Sequence, residues 1–226
     1  MRARRTAALA VALLVVGGGV AARPAEPAAA AAALAADSAE AAPDVDLVKA
    51  AHARAAARIT GRYDTWFRKY TKRYFGPGMD WRLFKSQGVA ESELNPNAVS
   101  RVGARGLMQL MPATFAQIAT AAHWRWTVDS PEANIAAGIL YDRDLWTAWA
   151  PKVADDEVPR FTFASYNAGQ GTIHRAVGVA AAEKLDPARW ASVARVAPKV
   201  RNWRHAETIG YVQKIEATYA ILKDAR

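Results

Sequence analysis

The chain has 226 residues, 30 Lys+Arg against 21 Asp+Glu, a formal net charge of +9 and no cysteine. That length allows one domain of ordinary size behind a leader, and the missing cysteine excludes disulfides, a thiolate nucleophile, Fe–S clusters and cysteine-ligated zinc. Apolar residues make up 52% of the chain, which excludes wholesale disorder, although twenty of the first 50 residues are alanine and inflate the figure.

Residues 1–5 carry three arginines, residues 7–16 are an unbroken apolar run, and Val20-Ala21-Ala22 offers small residues for cleavage. A basic start, a short apolar stretch and a small-residue exit describe a secretory signal peptide over residues 1–22. The alternative is a retained membrane anchor, which needs ~20 apolar residues. Residues 6–22 give 17, three of them glycine. Removal of the leader takes away three arginines and no acid, leaving +6. That charge suits an anionic surface. Export makes cell wall or membrane the expected partner and a periplasmic or secreted location the expected one. Nucleic acid is disfavoured, because the basic residues form no clustered face.

Residues 23–45 are rich in alanine and proline with few large side chains and read as a tether. From residue 46 the texture is that of a globular domain running to residue 226. Residues 51–74 carry a helical pattern interrupted at Gly61 and stopped by Gly76-Pro77-Gly78. Asp80 is placed as an N-cap for a helix reaching about Glu93, closed by Asn95-Pro96. A glycine-bearing loop follows over residues 100–106. Pro112 starts a helix to about Ala122 as a first-turn proline, and Ser130-Pro131 repeats the signal. The second of these carries apolar Ile135, Ile139, Leu145, Trp146 and Trp149. Residues 159–166 read as a short apolar helix, with Gly169-Gln170-Gly171 as a turn. A last helix from about His205 to Lys223 is expected to bury Ile209, Val212, Ile215 and Tyr219. Strand signals are nearly absent. The expectation is a mainly α fold with little or no sheet, a single globular helical domain.

Glu91 lies seven positions after Phe84 and three after Gly88, so it continues the apolar stripe of its helix. A carboxyl group beside an apolar wall keeps its proton to higher pH, as a general acid near neutrality requires. The bland alternative is a helix-end glutamate paired with a Lys or Arg.

The run Glu91-Ser92-x-x-Asn95-Pro96-x-Ala98-x-Ser100-x-x-Gly103-Ala104-x-Gly106-Leu107-Met108-Gln109-Leu110-Met111-Pro112 closely resembles the signature of the soluble lytic transglycosylase family, the goose-lysozyme-like murein-cleaving domain. Three more blocks follow in that family's order: Asn134-Ile135-x-x-Gly138, Tyr166-Asn167-Ala168-Gly169, and Glu207-Thr208-x-x-Tyr211-Val212. The resemblance spans roughly residues 63–219. It implies a mainly α, lysozyme-like α+β fold with little or no sheet and a substrate groove for alternating N-acetylglucosamine and N-acetylmuramic acid, with no cofactor and no metal. By position it makes Glu91 the single acid/base, with Ser92, Ser100, Met108 and Gln109 in the substrate-binding segment. Tyr166 and Asn167 match residues that hold the glutamate or the sugar, and Glu207 and Tyr211 match the closing motif. Their i, i+4 spacing puts the last two on one helix face. A 1,6-anhydromuramic product and a monomeric enzyme are implied, with an association to membrane, secretion or motility machinery left open.

Other residues are read more plainly. His52, His123, His174 and His205 show no metal-ligand spacing. Trp146 and Trp149 are expected in the core, whereas Trp124 and Trp126 are candidates for stacking on sugars. Asp155-Asp156-Glu157 reads as a solvated acidic loop. Asp142 falls on an apolar stripe where the family has an apolar residue, and an arginine partner is expected for it. Glu93 is expected to point away from Glu91. A hydrolytic muramidase would need a second positioned carboxylate, for which Asp142 and Glu207 are the candidates. A non-catalytic wall-binding protein would not call for the acid. Residues 177–202 match no motif and are left as a lid, a partner surface or extra packing.

Overall fold

The computed structural model describes Ile59 and residues 61–224, so the leader and the tether lie outside the described residues. Helix α1, Asp64–Phe75, begins after the left-handed Tyr63 and ends at Gly76. Gly76 has φ 91°, a conformation that favours a residue without Cβ. Helix α2, Trp81–Ser92, is capped as expected, the Asp80 side chain accepting from the Arg82 amide at 3.0 Å. Five successive residues in its middle, Phe84 to Gly88, are buried, so α2 is enclosed on several sides. Gly88 permits this: a Cβ there would sit 3.0 Å from Phe67 Cζ and 3.3 Å from Met108 Sδ. The buried ammonium of Lys85 pairs with Asp64 and so fastens α2 to α1.

Helices α3, Pro112–Ala121, and α4, Pro131–Trp149, both start on proline, which lacks the amide that a first turn leaves unbonded. Helix α5, Val158–Ala168, stops at Gly169, φ 83°, and α6, Gln170–Ala182, starts on the next residue. The expected turn thus shrinks to Gly169 alone, and Gln170 and Gly171 are helical. Helix α7, Trp190–Val196, a 3-10 turn, Ala197–Lys199, and α8, His205–Asp224, complete the chain. Helix α2 packs along α8, α1 on α4, α4 on α5, and α5 on both α6 and α8. Among the described residues, extended pairing is confined to isolated antiparallel bridges, Val99 with Arg105 and Arg105 with Leu110.

Val212 and Ile215 are buried as expected, but Ile209 and Tyr219 are half-buried, and Thr208, Tyr211, Thr218 and Leu222 fill the inner face of α8 instead. Trp149 is in the core and Trp146 packs its ring edge-on to Phe75. Residues 177–202 are extra packing: Ala180, Trp190, Val193, Val196, Ala197 and Val200 are buried. This explains a second departure. Asp155 and Asp156 are exposed, yet Glu157 is buried, accepting from the Trp190 amide at 3.2 Å and pairing with Arg160 at 3.3 Å. The first turn of α7 lands on that carboxylate and takes it out of water. His174 packs at a tilt against Trp149, and His205 meets Trp203 edge-on.

Candidate active site

Glu91 sits in the last turn of α2, followed by two left-handed residues, Glu93 at φ 53° and Leu94 at φ 58°. The reversal sends Glu93 into solvent and Leu94 into the core, and leaves Glu91 half-buried beneath the loop that follows. Tyr211 of α8 donates its phenolic hydrogen to Glu91 Oε1 at 2.6 Å. Burial raises the Glu91 pKa from 4.5 to about 7; the Tyr211 hydrogen bond and Lys214 oppose the rise, and the charge of Glu207 adds to it. Burial also pushes the phenols of Tyr211 and Tyr166 well above their usual range, with the Glu91 charge next in effect. Both therefore stay neutral donors.

The loop over residues 95–110 is built from inside. Ser92 Oγ donates to the Leu107 carbonyl at 2.9 Å, joining the end of α2 to the returning chain. Ser100 Oγ accepts from the Ala104 amide at 3.0 Å, and the Ser100 carbonyl accepts from Gly103 N at 3.0 Å. Gln109, itself left-handed, uses its amide hydrogens on the Ala98 and Gly106 carbonyls, which leaves Oε1 for another donor. Asn134 is the hub. Its Oδ1 accepts from the Met108 amide at 2.7 Å, and its Nδ2 donates to the carbonyls of Arg105 and Val128 at 2.9 and 3.0 Å. A Cβ on Gly106 would lie 2.5 Å from Asn134 Nδ2, and one on Gly138 would lie 2.8 Å from Met108 Cβ. These two glycines let the loop seat on α4.

The expected site residues thus divide. Glu91, Tyr211 and Tyr166 meet in one buried region, with Tyr166 donating to the Met108 carbonyl at 2.8 Å and packing on Tyr141. Met108 is fully buried, so it contributes backbone to the site and its side chain to the core. Asn167 Oδ1 accepts from Thr208 Oγ1 at 2.8 Å, and Thr208 accepts from Trp203 Nε1 at 2.9 Å, so the Asn167 Nδ2 group is fixed in orientation. Glu207 is not brought inside with Tyr211. It is 49% exposed, pairs with Arg204 at 2.7 Å, and acts on Glu91 only through its charge. Trp124 and Trp126 pack together at 5.0 Å, with Trp126 exposed.

Among the described residues Asp142 has no arginine partner. It is fully buried and accepts from Gln87 Nε2 at 3.2 Å, while the adjacent Arg143 donates Nε to the Tyr74 carbonyl. The expectation failed because the position faces α2, where the Gln87 amide is its side-chain partner. Sequence reading also missed Asn134 as a loop anchor and Lys214 as a charge beside the acid. Lys214 was visible as Tyr211 plus three on one helix face.

The residues 67–187 match the description Transglycosylase SLT domain, more than half of the chain. The chain belongs to the transglycosylase SLT family. It is 33% identical over 172 residues to a membrane-bound lytic murein transglycosylase F of Marinobacter nauticus, covering 71% of this chain and 33% of that protein. A relative of the same description from Desulfosudis oleivorans is 31% identical over 194 residues, covering 79% and 40%. The SLT chain therefore spans about a third to two-fifths of the length of these relatives. Among solved structures, the 70-kDa soluble lytic transglycosylase of Escherichia coli aligns at 25% identity and TM-score 0.57, over 72% of this chain and 24% of that one. A complex of the 70-kDa enzyme with bulgecin A aligns at TM-score 0.58, 25% identity, over 74% and 25%. An inactive glutamate-to-glutamine variant of lytic transglycosylase Slt from Pseudomonas aeruginosa shares the fold, with TM-score 0.59 at 20% identity over 74% and 25%.

Proposed function

We propose that this chain is a peptidoglycan lytic transglycosylase cleaving between N-acetylmuramic acid and N-acetylglucosamine. The observation that carries the reading is Glu91 itself: a half-buried carboxyl group with a pKa of about 7, held by a neutral phenol. A group that titrates near neutrality can serve first as acid and then as base. In the first step Glu91 gives its proton to the glycosidic oxygen, and the C–O bond to the anomeric carbon breaks. The muramic N-acetyl carbonyl oxygen supports that carbon from the opposite face. In the second step the sugar's own 6-hydroxyl attacks the anomeric carbon and its proton returns to Glu91, which closes a 1,6-anhydro ring. Intramolecular attack is favoured because the reacting groups are already joined. Tyr211 keeps its hydrogen bond throughout and stabilises the carboxylate between the two steps.

A hydrolytic route needs a second carboxylate across the sugar. Glu207 is exposed and paired with Arg204, and Asp142 is fully buried, which supports the intramolecular route. Ser100, Gln109 and Asn167 are the proposed sugar contacts, each half-buried. Ser92 and Met108 serve from beneath, through the loop. For the whole chain we infer residues 1–22 as an export signal, 23–45 as a tether and 46–226 as the catalytic domain, acting on wall outside the cytoplasm. Relatives described as membrane-bound lend weight to a surface location, although no helix among the described residues is long and apolar enough to cross a membrane. The test is digestion of purified wall sacculi. The wild type is expected to clear them, and Glu91→Gln to bind without clearing. Clearing by the glutamine variant, or sedimentation with sacculi and no clearing by the wild type, would reject the assignment.

A further inference from the structure

Gln87 and Glu91 stand one turn apart on the same face of α2, and Asp142 of α4 packs behind Gln87. Gln87 and Asp142 are both fully buried. The Gln87 amide nitrogen donates to Asp142 Oδ1, yet among the described residues the amide oxygen Oε1 of Gln87 and the second carboxyl oxygen Oδ2 of Asp142 have no partner. Two orphaned acceptors on two touching, dry side chains are a costly arrangement for an ionised carboxylate. One proton resolves both. A proton on Oδ2 of Asp142 would supply the donor that Gln87 Oε1 lacks and, with the existing amide bond, would make a ring of two hydrogen bonds between acid and amide. Exchanging the oxygen and nitrogen of the Gln87 amide leaves the demand unchanged, since one carboxyl oxygen must still supply a donor.

We propose that Asp142 is an uncharged acid locked to Gln87 in this ring, and that the ring is a positioning element that fixes the turn carrying Glu91 without adding a second charge. The groups around it agree. Glu91 from α2, Tyr166 from α5 and Tyr211 from α8 face this region, Tyr141 precedes Asp142 on α4, and no cation among the described residues acts on Asp142. Burial, with the Glu91 charge, holds the Asp142 proton well above the carboxylate range, and the Gln87 bond opposes this. The other charges acting on Glu91 are Lys214 and Glu207 of α8. Two acids packed together would otherwise compete for one proton, and the acid that must give up its own would be the wrong one to burden.

The role of the ring rests on the reading of Glu91 as acid/base; the protonation of Asp142 does not, and it can be tested without turnover. Infrared difference spectra of Glu91→Gln, with and without Asp142→Asn, isolate the Asp142 carboxyl. A protonated-carboxyl band at neutral pH that vanishes in the double variant is expected; its absence from Glu91→Gln overturns the ring. Carbon NMR of the Glu91 carboxyl then tests coupling. Asp142→Asn, a neutral mimic, should leave the Glu91 titration where it is, whereas Gln87→Glu puts two carboxyls on one shared proton and should move it upward by about one pH unit or more. A downward move in Asp142→Asn, or no move in Gln87→Glu, contradicts the proposal. Gln87→Leu/Asp142→Leu should keep the melting temperature but lower kcat at unchanged KM; wild-type kcat in that variant removes the positioning role. An intact band in a chain that cleaves nothing would retire the proposed function and leave the ring standing.

Discussion

Tyr211 reaches across 120 residues of sequence to put its hydroxyl 2.6 Å from Glu91 Oε1. Because that bond favours the charged carboxylate, it opposes the rise that burial imposes. Tyr211→Phe should therefore raise the Glu91 pKa and move the alkaline limb of the pH–rate profile upward. A hydrogen bond to a charged group contributes ~1.5–3 kcal/mol, so kcat should fall roughly ten- to a hundredfold. Steady-state kinetics on a soluble glycan fragment across pH would show both effects. An unmoved limb would mean that the phenol does not act on the acid.

In the wild type the rate should be sustained while Glu91 is protonated and fall as pH rises through about 7. The same shift appears in stability. The folded-state pKa is raised above the unfolded 4.5, so the native state binds the extra proton, and the associated stability is fully present below 4.5 and lost as pH rises through about 7. Glu91→Gln, which cannot ionise, should thus be more stable than wild type above pH 7, by about 3 kcal/mol at most, with the gap closing toward pH 4. Urea unfolding at the two ends of that range measures it. Equal midpoints at high pH would place the carboxylate in a more hydrated setting.

Much of this arrangement is readable from sequence where the signals are local. The caps at Asp80 and Ser130, the first-turn prolines Pro112 and Pro131, and the stops at Gly76 and Gly169 each act within a few residues of where they are written. Glu91 is legible for the same reason, since its helical phase alone puts it on the apolar stripe. What is not legible depends on which helix arrives from elsewhere. Asp142 finds Gln87 rather than an arginine across 55 residues, and Glu157 is buried only because α7 settles on it. Helical phase placed Glu207 and Tyr211 on one face, but the contact between α2 and α8 encloses Tyr211 and leaves Glu207 outside.

Asn134 makes two hydrogen bonds to the loop that overlies the site, with Met108 and Arg105, and a third to the Val128 carbonyl. Asn134→Ala strands the buried Met108 amide and should cost about 2–4 kcal/mol. Thermal unfolding checks the loss, and turnover should drop with it because the Met108 carbonyl anchors Tyr166. A folded variant of unchanged melting temperature would assign the loop's support elsewhere.

Two glycines make a matched pair. Gly138→Ala drives a methyl group to within 2.8 Å of Met108 and should destabilise by about 1–3 kcal/mol. Gly178, inside α6, has nothing within 4 Å of an added Cβ, and Gly178→Ala should stabilise by roughly 0.5–1 kcal/mol. Opposite signs in thermal melts are the expected result. A harmless Gly138→Ala would show that the loop can lift from α4.

The most direct measurement is mass spectrometry of the muropeptides that the wild-type protein releases from purified sacculi, set beside those of Glu91→Gln. Products lighter by one water than their hydrolytic counterparts, ending in an anhydro ring and missing from the glutamine variant, are the expected outcome. Products carrying an added water at a free reducing end would contradict single-carboxyl, intramolecular chemistry at Glu91.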